Sequence, residues 1–386
     1  MKEVESQDRL RRLRSVCVAG GLLGLGNHIY DVLGPLWATT DLGLAPSEWA
    51  GLRSLRFTGT VIGTVLFALV ATRVTPRLTA SLALAAAGAC LAAMVLGGAL
   101  WLWALVPVFG AGVSIAYVNL NALVQQAGGK RRGAANAWYR GSQAGVGIVA
   151  PVIATSLAGW WGGYVPALLV GSVTLIAAAA AVLAHPLAAP RLGPGLRWGP
   201  ILSTPGLRRF IAIDQCATLV QSAWPAYFAL RLAREVGLSD TSLGFVLMAG
   251  GGAAFAVTIA SGWLTDRLPV RVVLAAAWLV MAMGMALLGF ATTPIWAIVG
   301  HILASIGSAV NVIATSVNIG RLAGNGGEAL AFTAAKVVQA AATAVGMAAV
   351  AILGARWGMG PTLLIGAAGL SVVAGVGWFL LPRGQR

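Results

Sequence analysis

Residues Tyr164 to Ala184 read YVPALLVGSVTLIAAAAAVLA, without one charged side chain. At a rise of about 1.5 Å per residue, about twenty apolar residues carry a helix across the hydrocarbon core of a bilayer. This stretch has that length, and comparable runs recur from end to end of the chain. Of 386 residues, 58% are hydrophobic and 10% charged, against roughly a quarter charged in a soluble domain. Mean hydropathy is +0.85. The composition excludes an ordinary soluble fold and predicts an all-α integral membrane protein with the lipid bilayer as its solvent.

Charged and Gly/Pro-rich breaks delimit twelve such spans. Six lie in the first half, over 16–38, 49–71, 78–99, 101–126, 134–157 and 164–184, and six in the second, over 210–232, 243–264, 272–291, 295–319, 329–353 and 362–381. Between the halves, Pro186 to Gly206 is rich in proline, carries Arg191 and Arg197 and has no periodic apolar face. It reads as an exposed central loop, which divides the chain into a bundle over 1–185, a loop over 186–206 and a bundle over 207–386.

The formal charge of +15 would suit a nucleic-acid partner, but the basic residues are interspersed among apolar spans, which is the pattern of the positive-inside rule and not of a phosphate-binding face. With both termini inside, 19 of the 26 basic residues fall on that side, and only Arg231, Arg234 and Arg356 on the other. Cytoplasmic termini are therefore expected. Lys2, Arg9, Arg11, Arg12 and Arg14 precede a first span that continues to Trp37 without a small-residue cleavage site, as a retained span does and a signal peptide does not. Cys17, Cys90 and Cys216 stand in separate apolar runs without metal-ligand spacing, so neither a disulfide framework nor a metal or cofactor site is expected.

The halves are related. Gly43-Leu44 recurs as Gly237-Leu238, and Arg73 and Arg77 recur as Arg267 and Arg271, all at an offset of 194, while Arg140-x-x-Gln143 recurs as Lys336-x-x-Gln339 at 196. Six spans repeated in one orientation predict two bundles related by a pseudo-twofold axis along the membrane normal.

Gly262-Trp-Leu-Thr-Asp-Arg-Leu-Pro-Val-Arg271 resembles the loop signature G-x-L-x-D-R-x-G-R of the major facilitator superfamily, with Pro269 where glycine is usual. The first-half copy, Ala68 to Arg77, keeps Arg73 but has Thr72 for the acid. The resemblance implies a twelve-span secondary transporter and a latch at the cytoplasmic mouth. That latch would comprise Gly262, Asp266, Arg267 and Arg271, with Arg73 and Arg77 in the other half. Glu328, where span eleven begins, either replaces the missing acid and pairs with Arg73 or Arg77, or is simply favoured by the helix dipole. Span five also resembles the exporter stripe of the family, through Gly141, Gly145, Gly147 and Pro151, without its closing glycines. Generic helix packing accounts for the same residues.

A charge inside a span is costly unless it faces water or a partner, which makes each one a candidate for function. Arg140 and Lys336 occupy repeat-related positions. Two cations in a desolvated pocket repel each other when it is empty and favour an anion between them, with Gln143 and Gln339 one turn on as neutral hydrogen-bonding groups. Arg56, Asn121 and Tyr30 complete the expected substrate-binding set. The competing reading has both cations snorkelling to the surface. Asp31 is the candidate for proton coupling, since burial favours the protonated carboxyl and an approaching cation such as Arg56 favours the ionised one. His28, three residues back, is placed to share that proton. Alternatively, Asp31 forms a permanent ion pair with Arg53 or Arg56. Asp214, near the start of span seven, is expected to meet Arg208 or Arg209 at the interface.

There is no nucleotide-binding loop and no metalloprotease motif, so no enzymatic activity is expected. The expectation is a proton-coupled secondary transporter for a small organic anion, acting as a monomer in a bacterial inner membrane. The alternatives are a polyspecific proton-coupled efflux pump for lipophilic compounds and a non-transporting scaffold or lipid scramblase.

Overall fold

A computed structural model describes residues 2–70, 74–128, 132–184, 204–323 and 328–381. Among them there is no strand, and almost every residue is helical. Six helices form the first half: α1 (Lys2–Thr40), α2 (Pro46–Val70), α3 (Pro76–Gly97), α4 (Ala99–Gly128), α5 (Arg132–Trp161) and α6 (Tyr164–Leu183). In the second half follow α7 (Pro205–Gln221), a short helix over Ala223–Leu230 with a π-helical turn over Arg231–Glu235, α8 (Asp240–Arg267), α9 (Val270–Phe290), α10 (Pro294–Ala323), α11 (Glu328–Trp357) and α12 (Met359–Leu380). Ten of these helices are long and apolar enough to cross a membrane. The other two spans are α2, which carries Arg53 and Arg56, and span seven, which is broken.

That break departs from the continuous span expected over 210–232. Pro225 has no N–H to donate to the Gln221 carbonyl, and the helix yields at Ser222, whose hydroxyl turns back to the Thr218 carbonyl at 2.9 Å. Helix α1 also begins much earlier than its apolar run, because the basic tail continues the same helix. The expected central loop lies almost wholly outside the described residues.

The chain divides into two compact units, Met1–Leu42 with Leu55–Gly195 and Gly43–Ser54 with Leu196–Arg386. The opening of α2 thus groups with the second unit, where the Ser54 hydroxyl donates to the Ala344 carbonyl at 2.8 Å. In the first unit α1 packs on α4, α5 and α6, and α3 on α4 and α6, while α4 packs on α5. Adding six to each number describes the second: α7 packs on α10, α11 and α12, and α9 on α10 and α12, while α10 packs on α11. Backbone geometry repeats as well. Gly43 and Gly237 sit in the left-handed region at φ 68° and 77°, and Gly162 and Gly358 at 66° and 84°, the first pair 194 residues apart and the second 196. Left-handed φ is where a residue with a Cβ is strained and glycine is not, so the glycines that mark the repeat do so because the same turn enters α2 and α8.

Small residues let the helices approach. A Cβ on Gly59 would meet the Pro107 carbonyl and one on Gly63 the Ala111 side chain, which fits α2 tightly against α4. In the second unit a Cβ on Gly284 would meet the backbone of Ala304, and one on Gly307 the Ala277 carbonyl, so α9 and α10 approach in the same way. In span five, by contrast, Gly141 and Gly145 have no described atom near a would-be Cβ, and only Gly147 of the glycines quoted there packs closely, against His28.

Candidate functional site

Among the described residues, each unit holds a polar cluster among apolar helices. In the first unit the close approach of α2 and α4 places Arg56 beside Gly110, whose missing side chain leaves room for the arginine backbone. The guanidinium then reaches α1. Arg56 Nη1 donates to Asp31 Oδ1 at 2.6 Å and Nη2 to Asn27 Oδ1 at 2.5 Å, while Asn27 Nδ2 donates to Asp31 Oδ2 at 2.8 Å. Its flat face lies 5.0 Å from the ring centroids of both Tyr30 and Phe109, which are themselves in contact. A planar cation that both forks toward a carboxylate and stacks on aromatic faces is characteristic of arginine and unavailable to lysine. Tyr30 is fully buried beneath it. His28, one turn from Asp31, is half-buried against Gly147 and within electrostatic range of both Asp31 and Arg56.

The other first-unit candidates are dispersed around this triad. Arg140 is exposed on α5, next to the buried Tyr139. Gln143 Nε2 donates to the Tyr139 hydroxyl at 3.0 Å, and Asn121 Nδ2 turns back to the Tyr117 carbonyl on its own helix at 2.8 Å. Buried Arg53 belongs to the stretch of α2 that groups with the second unit.

In the second unit a small pocket opens among α7, α10 and α11, lined by Asp214, Gln215, Asn311, Thr315, Lys336 and Gln339 among others. Asp214 is 3% exposed. Its Oδ1 accepts from the Thr315 hydroxyl at 2.8 Å and its Oδ2 from Gln215 Nε2 at 3.1 Å. Asn311 is oriented by Trp278, whose Nε1 donates to Asn311 Oδ1 at 2.9 Å. Lys336 Nζ donates to Gln339 Oε1 at 2.7 Å, so these two expected site residues do meet, on the exposed rim of this pocket.

Asp214 does not go to Arg208 or Arg209. Helix geometry explains why. At about 100° per residue, a side chain five or six positions on points to the far side of α7, so the two arginines remain exposed while Asp214 turns into the bundle. Counting that phase along the sequence would have identified it. His301 on α10 is buried, stacked on Phe228 at a centroid distance of 5.0 Å and tilted against Trp224 at 5.8 Å, with Gly250 against its ring. Gly250, in the run Gly250-Gly251-Gly252 of α8, therefore serves close packing.

Of the expected latch residues, Arg73 lies outside the described residues, as do the surroundings of Gly262 and the side chains of Asp266 and Glu328. Arg77 Nη2 donates to the Leu183 carbonyl at the end of α6. Arg271 stacks on Trp378 with 5.3 Å from guanidinium to ring centroid. Arg321 donates to the Thr265 carbonyl at 3.2 Å, beside exposed Arg267.

Solved structures carry the same architecture. A nucleoside transporter, NupG, covers 96% of this chain and 100% of its own in its D323A mutant, with a TM-score of 0.78 and 12% identity. A POT family transporter in complex with a thioalcohol-conjugated peptide covers 94% of each chain, with a TM-score of 0.78 and 10% identity. A bacterial homolog of the human lysosomal transporter Spinster, in an inward-facing and unoccupied conformation, covers 97% of this chain and 95% of its own, with a TM-score of 0.72 and 14% identity. The chain has the major facilitator fold. In that fold it is an all-helical, multi-pass membrane protein of two six-helix units. No family model and no curated protein sequence matches it, and solved structures at 10–14% identity share its fold alone.

Proposed function

We propose that the protein is a secondary active transporter that moves a small anionic organic solute across the membrane by alternating access, coupled to protons. The observation that carries this reading is the second-unit pocket, where the Lys336 ammonium, with one donor on the Gln339 amide, stands beside Asp214, Gln215, Asn311 and Thr315. An apolar bundle has no packing reason to gather so many polar groups, and each one is costly in lipid without a task. The polar lining suits a hydrogen-bonding solute better than a lipophilic one. Arg140 and Gln143, their counterparts in the first unit, are assigned to the same solute, with Asn121, Tyr30 and Arg56 as supporting groups. Asp31 is assigned to proton coupling, with His28 as its neighbour. The cation surplus behind the anion reading is narrower than the composition suggests, since Arg56 is matched by Asp31 and Lys336 faces a pocket that also holds Asp214.

The positive-inside bias supports cytoplasmic termini and an inner-membrane location, with Gly262, Asp266, Arg267, Arg271, Arg73, Arg77 and Glu328 as the latch at the cytoplasmic mouth. The protein works as a monomer.

Counterflow in liposomes with purified protein tests this. Lactate and benzoate are expected to exchange and lipophilic cationic dyes not to, and Lys336→Gln and Arg140→Gln are expected to lower the anion flux at least tenfold. Dye exchange without anion exchange would replace this reading with multidrug efflux. No exchange of any probe would favour a scaffold or scramblase.

A further inference from the structure

The proton-coupling role argued above falls on Asp31, yet the more deeply buried carboxylate is Asp214. Thr315 and Gln215 together supply it with two neutral hydrogen bonds, which is little for an ionised carboxylate cut off from water. The charged group facing it is Lys336 on α11, which lines the same pocket and interacts with it electrostatically. From α10 it faces Thr315 and Asn311, both neutral, and α12 carries no ionisable side chain. On α7 itself, Arg208 and Arg209 are exposed on the other side of the helix. Among the described residues the ionised state of Asp214 thus depends on one cation, and that cation has a four-carbon stem and a second partner, Gln339, to move toward.

We propose that Asp214 is a second proton carrier, held ionised by Lys336 and protonated when an anion draws Lys336 away. The proton comes from the aqueous phase through the pocket mouth and forms an O–H bond on the carboxylate, whose remaining partners then hydrogen-bond a neutral acid. Charge balances locally. Before binding, the pocket holds one carboxylate and one ammonium; afterwards it holds a neutral acid with an ammonium–anion pair. A monoanion would therefore travel with a proton and without net charge. The exchange part rests on the transporter reading, whereas the dependence of Asp214 on Lys336 does not.

The test is infrared difference spectroscopy on the purified full chain at neutral pH. Wild type is expected to lack the C=O stretching band of a protonated carboxyl at this site. Lys336→Gln and Lys336→Met are each expected to show the band, Lys336→Arg to lack it, and Asp214→Asn introduced into either neutral variant to abolish it. Thermal melts identify which variants are folded, and either neutral substitution suffices. A folded neutral variant without the band, or a band that survives Asp214→Asn, overturns the proposal. Adding lactate or benzoate to wild type tests the solute reading separately. If neither anion stabilises the protein, the solute assignment fails while the band in the Lys336 variants is unaffected.

Discussion

Arg56 and Asp31, 25 residues apart in sequence, meet with Nη1 donating to Oδ1 at 2.6 Å, and the side chains are 8% and 25% exposed. The pair joins α1 to α2 within a cage of Asn27, Tyr30 and Phe109.

Removing one partner should hurt more than removing both. A buried charge stripped of its counter-charge costs about 3–5 kcal/mol, whereas a neutral pair of similar volume is often tolerated. Arg56→Gln alone is expected to lower the melting temperature of the purified protein clearly, and Asp31→Asn with Arg56→Gln to recover much of the loss. A double variant that loses as much as the two single variants summed would mean that the ion pair carries no coupling energy.

Proton coupling at Asp31 has a kinetic signature. Asp31→Asn is expected to abolish uptake or efflux driven by a pH gradient while leaving counterflow, which needs no gradient, largely intact. His28→Gln is expected to shift the pH dependence only, because its ring packs on Gly147 and its electrostatic contact with Asp31 is indirect. Gradient-driven transport surviving in Asp31→Asn would remove the assignment.

At the His301 cage the expectation is steric. A Cβ at residue 250 would lie 2.5 Å from His301 Nε2 and 2.9 Å from Ser305 Oγ, and overpacking of this kind costs about 1–3 kcal/mol. Gly250→Ala should therefore destabilise, and His301→Ala in the same chain should relieve part of the loss. Gly252→Ala, where nothing is within reach of a Cβ among the described residues, serves as the control. A double variant no more stable than the sum of the singles would show that the ring is not what excludes the methyl group.

The repeat-related turns should respond alike. Gly43→Ala and Gly237→Ala each impose a left-handed φ on a residue with a Cβ, and each is expected to cost about 1 kcal/mol, read as similar falls in melting temperature. A large effect at one and none at the other would mean that only one of these turns constrains its helix entry.

Much of the architecture is legible in residue order because it depends on local properties. An apolar run of bilayer length has one low-energy fate in lipid, with its backbone groups bonded to themselves, and the Tyr164–Leu183 helix coincides with its run almost residue for residue. The repeat is legible because the same turn needs the same glycine twice. Span seven misled for a reason also local, since apolar content alone does not register that Pro225 lacks a donor. The site was legible by type and less so by partner. Arg56 with Asp31 stood among the alternatives, and Lys336 with Gln339 follows from helical spacing. Proximity along the chain points Asp214 toward Arg208 and Arg209, whereas the angular phase of α7 turns it to the opposite side.

By itself, then, the order of residues determined the twelve spans, the doubled architecture and the kinds of charge embedded in it, all of which follow from transfer energies and from turns only glycine makes easily. Only the tertiary structure decided which charges meet. Asp214 and Thr315 are 101 positions apart and bond at 2.8 Å, and no spacing rule connects them. Their contact depends on the rotation of α7 and α10 about their axes, and that rotation is set by packing all along both helices.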